Sequence, residues 1–143
     1  MDPSFATAAK TDLKRIILCS GKLYYELVAR RDEQGLKRNV SILRLEELAP
    51  FPWAALAEAL DPYMGREGHG HVEIVWVQEE PRNQGPWPHV GVRLEALLAK
   101  RGVVKDKVRF IGRRESAVPA VGVGKLFQMQ KAEVLEEAFA DIE

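Results

Sequence analysis

The segment Glu73-Ile-Val-Trp-Val-Gln-Glu-Glu-Pro-Arg-Asn-Gln-Gly-Pro-Trp87 carries the most information about the fold of this chain. It begins with β-branched and aromatic residues, Glu73–Val77, which predict a strand buried on both faces. Polar residues follow at once, and Pro81, Gly85 and Pro86 then lead into a helical pattern. In α/β proteins, ligands and partners bind where parallel strands end in polar residues. The segment therefore predicts both an α/β fold and a candidate site.

Strand and helix patterns alternate along the rest of the chain. The predicted strands are Arg15–Cys19, Val40–Leu45, Glu73–Val77 and Val108–Ile111, and the predicted helices cover about 22–31, 52–60, 88–101 and 127–142. Helices between successive strands imply crossover connections, and these give a largely parallel sheet covered on both faces. We therefore expect a three-layer α/β/α fold with a mostly parallel sheet in one domain, residues 13–143. Residues 1–12 are expected to be a linker or a remnant of cloning.

Composition excludes several classes of protein. The 21 basic and 21 acidic residues cancel, whereas binding to nucleic acid or to a membrane surface needs a net basic face. No apolar run approaches the roughly 20 residues that span a bilayer. The single cysteine, Cys19, lies in an apolar run, which excludes a disulfide framework and indicates a reducing compartment. We expect no nucleic-acid partner and no membrane partner.

Polar residues after the predicted strands form a candidate anion site. The turn Ser20-Gly21-Lys22 places backbone N–H groups and a lysine at a helix start, where anions bind. Arg82 follows the third strand and Arg113 the fourth, so parallel strands would bring both to the edge that holds Lys22. Two alternatives stay open: Ser20 caps the helix in a tight turn, and the arginines pair with acidic residues across a domain boundary.

The segment Val121-Gly-Val-Gly-Lys125 invites comparison with nucleotide-binding loops. A phosphate-binding loop requires a glycine five positions before the Gly-Lys pair and a hydroxyl after it, where this chain has Pro119 and Leu126. The dinucleotide fingerprint would place its third glycine at Phe127. Both loops are therefore rejected.

Carboxylates and histidines offer weaker candidates. Glu79 and Glu80 are neighbours on a strand and point to opposite faces, so we interpret them as solvated or ion-paired rather than as an acid–base pair. His69 and His71 have no cysteine or further histidine at ligand spacing, which favours a loop over a metal site. His89 is expected to stack at a helix start.

Four segments resemble the carboxyl end of the thiamine-dependent 2-oxoacid dehydrogenases of the 2-oxoglutarate and 2-oxoadipate type. The similarity runs from about Arg15 to Phe139 and agrees in order and spacing. It is carried by Ile17–Lys22 with Tyr25, Leu45–Pro52, Val77–Trp87, and Gly112-Arg113 with Ser116-Ala117 and Pro119-Ala120. The opening stretch Glu73–Trp87, which contains the third segment, fits the motif V-W-x-Q-E-E-P-x-N-x-G-[AP]-W. Ala120–Gly124 departs from the Ala-Thr-Gly of the 2-oxoglutarate enzymes toward the 2-oxoadipate branch, so the substrate is left open.

The resemblance implies the C-terminal domain of the first, decarboxylating component, with the transketolase C-terminal fold and one antiparallel strand. It implies that thiamine diphosphate and Mg are bound in preceding domains of the full-length enzyme. We therefore expect no catalytic, cofactor-binding or metal-binding residue in this chain, and no activity from it alone. The tricarboxylic acid cycle or lysine degradation would be the metabolic setting, in the mitochondrial matrix of a eukaryote or the cytoplasm of a bacterium.

Two functions follow from the resemblance. The first is a structural and interaction domain that supports dimerisation and docks other domains of its own chain, within a complex that includes a lipoyl-bearing acyltransferase. The alternative is a regulatory module that binds an anionic, nucleotide-type effector. Either function would use one edge of the sheet, formed by Ser20, Gly21, Lys22, Glu79, Arg82 and Arg113.

Overall fold

Four parallel strands and four helices alternate along the described part of the chain. The structure is a computed structural model that describes residues 12–63, 72–100, 108–118 and 120–142. Its elements are β1 Arg15–Cys19, α1 Leu23–Glu33, β2 Val40–Arg44, α2 Trp53–Leu60, β3 Glu73–Pro81, α3 Trp87–Ala99, β4 Arg109–Arg113 and α4 Gly124–Phe139. A short 3-10 turn, Asp61–Tyr63, follows α2.

The strands form one sheet in the order β2-β1-β3-β4, and every neighbouring pair is parallel. One apolar cluster joins the sheet to α2 and α3, and a second joins its other face to α1 and α4. The three-layer α/β/α expectation is therefore confirmed. The antiparallel strand implied by the resemblance is not among the strands of the described residues.

Strand β3 supplies the centre of both clusters, because alternate side chains point to opposite faces. Trp76 packs on the α2 and α3 side, whereas Val75 and Val77 pack on the α1 and α4 side. All three are fully buried, with relative exposures of 0%. The prediction of a strand buried on both faces is confirmed, including the position of Trp76.

Several predicted boundaries were wrong, among them the end of β3 and the start of α4. Strand β3 continues to Pro81 instead of ending at Val77, because its backbone goes on pairing with β4 through an irregularity between those two residues. Helix α4 begins at Gly124 instead of Phe127, since the Phe127 N–H already donates to the Val123 carbonyl at 3.0 Å.

A charged network closes the amino edge of the sheet. Arg15 is only 3% exposed; its Nε lies 2.6 Å from Glu73 Oε2, and its Nη1 donates to the Ala138 carbonyl at 2.8 Å. Arg109 contacts Glu73 Oε1 at 3.3 Å and Glu137 Oε1 at 3.1 Å. The network therefore ties the carboxyl end of α4 to three strands at once.

Replacing Arg15 with Met should lower the free energy of unfolding by about 2 kcal/mol. Removing one partner of a buried ion pair typically costs about 3–5 kcal/mol, and we expect less because Glu73 is partly solvated and keeps Arg109. Urea unfolding measures the change. Arg38→Met, which removes an ion pair with Asp12 from a side chain that is 76% exposed, is the control. Equal losses in the two variants would contradict a structural role for the network.

Candidate functional site at the carboxyl edge of the sheet

The strand order places a change of direction at the carboxyl ends of β1 and β3. From β1 the chain runs outward to β2, then returns past β1 to β3 and β4. Ligands of open α/β sheets bind at such a change of direction. The turn after β1, Ser20–Lys22, and the last residues of β3, Gln78–Pro81, therefore flank the position where a site is expected.

The turn after β1 is already occupied by a carboxylate of the chain itself. Gly21 has a φ of +66°, a conformation that glycine adopts without strain. Its N–H donates to Glu46 Oε1 at 3.1 Å. Lys22 is the N-cap of α1 and no side chain caps the helix, so the expectation that Ser20 caps it was wrong. The amide predicted to bind an anion thus holds Glu46.

Lys22, Glu79 and Arg113 come together beside this turn. Lys22 Nζ lies 3.9 Å from Glu79 Oε1, and Arg113 Nε donates to the Glu79 carbonyl at 2.8 Å. The ion pair is weak, because the Lys22 side chain is 71% exposed. Glu79 and Arg113 also line a small cavity of about 10 Å³ beneath α4. The expectation that Glu79 is ion-paired is therefore met by Lys22.

Arg82 lies on the opposite side of the sheet. Its guanidinium stacks 5.6 Å from the Trp87 ring and 5.2 Å from the Phe110 ring, both of which pack against the α2 and α3 cluster. The Arg82 N–H donates to the Arg113 carbonyl at 3.1 Å, so the two backbones are neighbours while the side chains diverge. The structure therefore does not bring the Arg82 and Arg113 guanidinium groups together around one anion.

Gln78 is a central residue that sequence reasoning missed. It is 3% exposed, and its Oε1 accepts from the Trp76 indole and from the Trp87 backbone N–H, both at 2.9 Å. Its Nε2 donates to three carbonyls, those of Glu80 at 3.3 Å, Pro81 at 3.1 Å and Gln84 at 2.7 Å. One amide thus fixes the end of β3, the turn after it and the start of α3.

Asn83 and Gln84, which follow β3, form hydrogen bonds with Ser116 in the chain after β4. The Asn83 side chain donates to the Ser116 carbonyl at 3.0 Å and accepts from the Ser116 N–H at 3.1 Å. Gln84 Nε2 donates to the same carbonyl at 2.9 Å. Gly85 has a φ of +65°, and a Cβ there would lie 2.9 Å from the Glu80 side chain. The side chains of Asn83 and Gln84 therefore make their hydrogen bonds within the domain.

The chain matches a known family along nearly its whole length. Residues 1–139 match the model of the family described as 2-oxoglutarate dehydrogenase C-terminal. The chain belongs to this family. The resemblance seen in the four sequence segments is thereby confirmed.

Three bacterial relatives carry related names. This family member is 42% identical over 133 residues to the multifunctional 2-oxoglutarate metabolism enzyme of Mycolicibacterium vanbaalenii, covering 93% of the chain and 10% of that relative. It is 39% identical over 138 residues to the 2-oxoglutarate dehydrogenase E1/E2 component of Corynebacterium glutamicum, covering 96% and 10%. It is 39% identical over 129 residues to the 2-oxoglutarate dehydrogenase E1 component of Brucella anthropi, covering 90% and 12%. The chain thus spans about a tenth of these relatives.

In this 2-oxoglutarate dehydrogenase C-terminal domain, His89 lies among backbone and aromatic groups of the same domain. His89 Nε2 lies 2.9 Å from the Leu48 carbonyl, and its ring meets the Phe51 ring edge to face at 6.4 Å, an aromatic contact of a different kind from the predicted stacking. His69 and His71 fall outside the described residues. Across the described ranges, no group of three or more His, Cys, Asp or Glu is arranged to hold a metal ion. Nor does the described part include a helix long and apolar enough to cross a membrane.

Cys19 should be unreactive in the folded domain. It is 0% exposed, and burial raises the pKa of its thiol from 9.0 to about 12. Alkylation in native buffer should therefore be far slower than in denaturant, since the thiolate is the nucleophile. Above pH 9.0 the unfolded chain loses this proton while the native domain keeps it. The contribution of Cys19 to stability should thus decline between pH 9.0 and about 12.

Urea unfolding across this pH range, compared between wild type and Cys19→Ala, measures the decline. The variant should lack this part of the pH dependence. Identical pH dependence in both proteins, or rapid native alkylation, would contradict the assignment.

Proposed function

We propose that this chain is the C-terminal structural and interaction domain of a 2-oxoglutarate dehydrogenase E1-type component, without catalytic residues of its own. The observation that carries the proposal is that polar side chains of the segment 78–84 form their hydrogen bonds within the domain. The side chains of Gln78, Asn83 and Gln84 donate their hydrogen bonds to carbonyls of the same domain. A catalytic edge would instead present such groups toward a substrate.

The names and lengths of the relatives support the rest of the proposal. Because the chain spans about a tenth of them, we assign decarboxylation on thiamine diphosphate with Mg to the preceding part of a longer polypeptide. The substrate proposed for that polypeptide is 2-oxoglutarate rather than 2-oxoadipate, since the relatives' names contain the former. Its proposed partners are a second copy in a homodimer and a lipoyl-bearing acyltransferase. A cytoplasmic location is proposed because these relatives are bacterial.

Activity of the purified chain tests the proposal. With thiamine diphosphate and Mg supplied, the 143-residue chain should not decarboxylate 2-oxoglutarate or 2-oxoadipate. The longer polypeptide encoded with it should decarboxylate 2-oxoglutarate under the same conditions. Turnover by the short chain would overturn the proposal, and so would a natural reading frame that begins at Met1.

The alternative proposal is an anion-sensing edge, and the observation in its favour is that two cationic side chains, Lys22 and Arg113, reach the same residue, Glu79. Glu46 would compete for the Gly21 N–H, so Glu46→Gln should tighten binding if an anion uses that group. Titration with AMP, acetyl-CoA and sulfate, followed by amide shifts of Gly21 and Arg113, tests the idea. Shifts that fade as salt rises would support it. If the amide shifts do not change at millimolar ligand, the anion-sensing proposal is wrong and only the docking proposal remains.

A further inference from the structure

A small cavity lies where the helices α1 and α4 meet the carboxyl ends of β3 and β4. Its volume is about 10 Å³, and Leu23 of α1, Glu79 of β3, Arg113 of β4 and Gln130 of α4 belong to its lining. We call it the α4 cavity. It is the place where the polar end of the sheet comes closest to the helix that covers it.

Two oxygen atoms of residues that line the α4 cavity have no hydrogen-bond donor within the described part of the chain. They are Glu79 Oε1 and Gln130 Oε1, and both atoms are buried. Lys22 Nζ approaches Glu79 Oε1 only to 3.9 Å, which is too long for a hydrogen bond. Buried polar groups of native proteins are nearly always paired, either within the protein or with an ordered water molecule. Two unpaired acceptors on one cavity therefore indicate a donor that is not part of the chain.

The volume of the α4 cavity limits this donor to a very small molecule. A cavity of roughly 10–15 Å³ accommodates one water molecule, which needs about two to four polar partners. Water carries two O–H groups, one for each of the two acceptors. An organic amine or alcohol would require more space than the cavity has.

The charges around the α4 cavity favour a neutral ligand over a cation. The lining contains one carboxylate, from Glu79, and two cationic side chains, Arg113 and Lys131. Lys131 Nζ already forms an ion pair with Glu26 Oε2 at 2.6 Å, so it is not the missing donor. A metal or ammonium ion would be repelled by these two groups and by Lys22, whereas a water molecule carries no net charge.

We infer that the α4 cavity binds one water molecule, which donates one hydrogen bond to Glu79 Oε1 and the other to Gln130 Oε1. The water joins the end of β3 to α4 and satisfies both buried oxygens. This inference is independent of the proposed function, because it concerns the folded domain alone.

Nuclear Overhauser effects (NOEs) between water and methyl groups of the 143-residue chain test the inference. Leu23 and Val134 line the cavity, are 2% and 5% exposed, and have no exchangeable side-chain protons, so NOEs from water to their methyl groups report a bound molecule. We expect these NOEs in the wild type and their loss in Gln130→Leu, which removes one acceptor. Gln128→Leu, on the exposed face of the same helix, is the matched control and should retain them.

Absence of the NOEs from the wild type, or their persistence in Gln130→Leu, would overturn the inference. Their loss in Lys131→Met would overturn it too, because the signal would then come from exchange through the ammonium group. A high-resolution crystal structure provides a second measurement and should show one water within about 2.5–3.2 Å of both oxygens. A direct hydrogen bond from the Gln130 amide nitrogen to Glu79, with the amide oxygen and nitrogen exchanged, would contradict the inference.

Discussion

Replacing Gln78 with Leu is expected to lower the free energy of unfolding by about 4 kcal/mol, because it leaves several buried polar groups without partners. The Trp76 indole and the Trp87 N–H would lose their acceptor. The Gln84 carbonyl would lose its side-chain donor, whereas the Pro81 carbonyl would keep the Gln84 N–H at 2.9 Å. Urea unfolding followed by far-ultraviolet circular dichroism measures the loss.

Gln128→Leu provides the matched control for this prediction. Gln128 lies on the exposed face of α4, so the same substitution there should change stability by less than about 0.5 kcal/mol. Comparable effects at the two positions would refute a central role for the Gln78 amide.

Replacing Trp76 with Ala should cost about 3–5 kcal/mol, the usual penalty for removing a large aromatic side chain from a core. Trp76 is 0% exposed and packs between the sheet and the helices α2 and α3. Trp53→Ala is the control, because Trp53 is 42% exposed and should lose about 1 kcal/mol or less. A loss at Trp76 no larger than at Trp53 would show that the core is centred elsewhere.

The losses of stability caused by Gln78→Leu and Trp76→Ala should not be additive, because both substitutions remove the same hydrogen bond. In a double-mutant cycle, the combined loss should fall short of the sum by about 0.5–1.5 kcal/mol. Strict additivity would mean that the Trp76 indole does not depend on Gln78.

Hydrophobic patterning predicted the layers well, because a buried parallel sheet leaves a strong local signal. Strand β1 was predicted with its observed limits, Arg15–Cys19, since an uninterrupted apolar run ends there at a polar turn. The end of β3 was missed because its pairing with β4 resumes at Pro81, beyond the polar residues Gln78–Glu80. Tertiary pairing thus overrode the local composition.

The role of Gln78 left a signal in the sequence. Residues two apart on a strand share a face, so Gln78 lies on the same face as Trp76. A glutamine on the same face as a buried tryptophan must find hydrogen-bond partners for both the oxygen and the nitrogen of its amide. That argument predicts burial, although it does not identify the Pro81 and Gln84 carbonyls as the acceptors.

The positions of the charged groups depended on details that patterning does not contain. Arg82 follows the irregular end of β3, where counting alternate residues no longer predicts the face on which a side chain lies. Arg15 reaches the Ala138 carbonyl across 123 residues, a separation that a single sequence does not connect. Glu46 lies just beyond β2, and its contact with the Gly21 N–H joins residues 25 positions apart.

The position of β1 has a mechanical consequence. Although β1 is the first described strand, it lies inside the sheet and pairs with β2 through five residues and with β3 through four. Pulling on the polypeptide ahead of Asp12 would load both ladders in shear, so that their hydrogen bonds resist together rather than opening one by one. A force applied at the amino end of the domain would therefore meet the combined resistance of both ladders at β1.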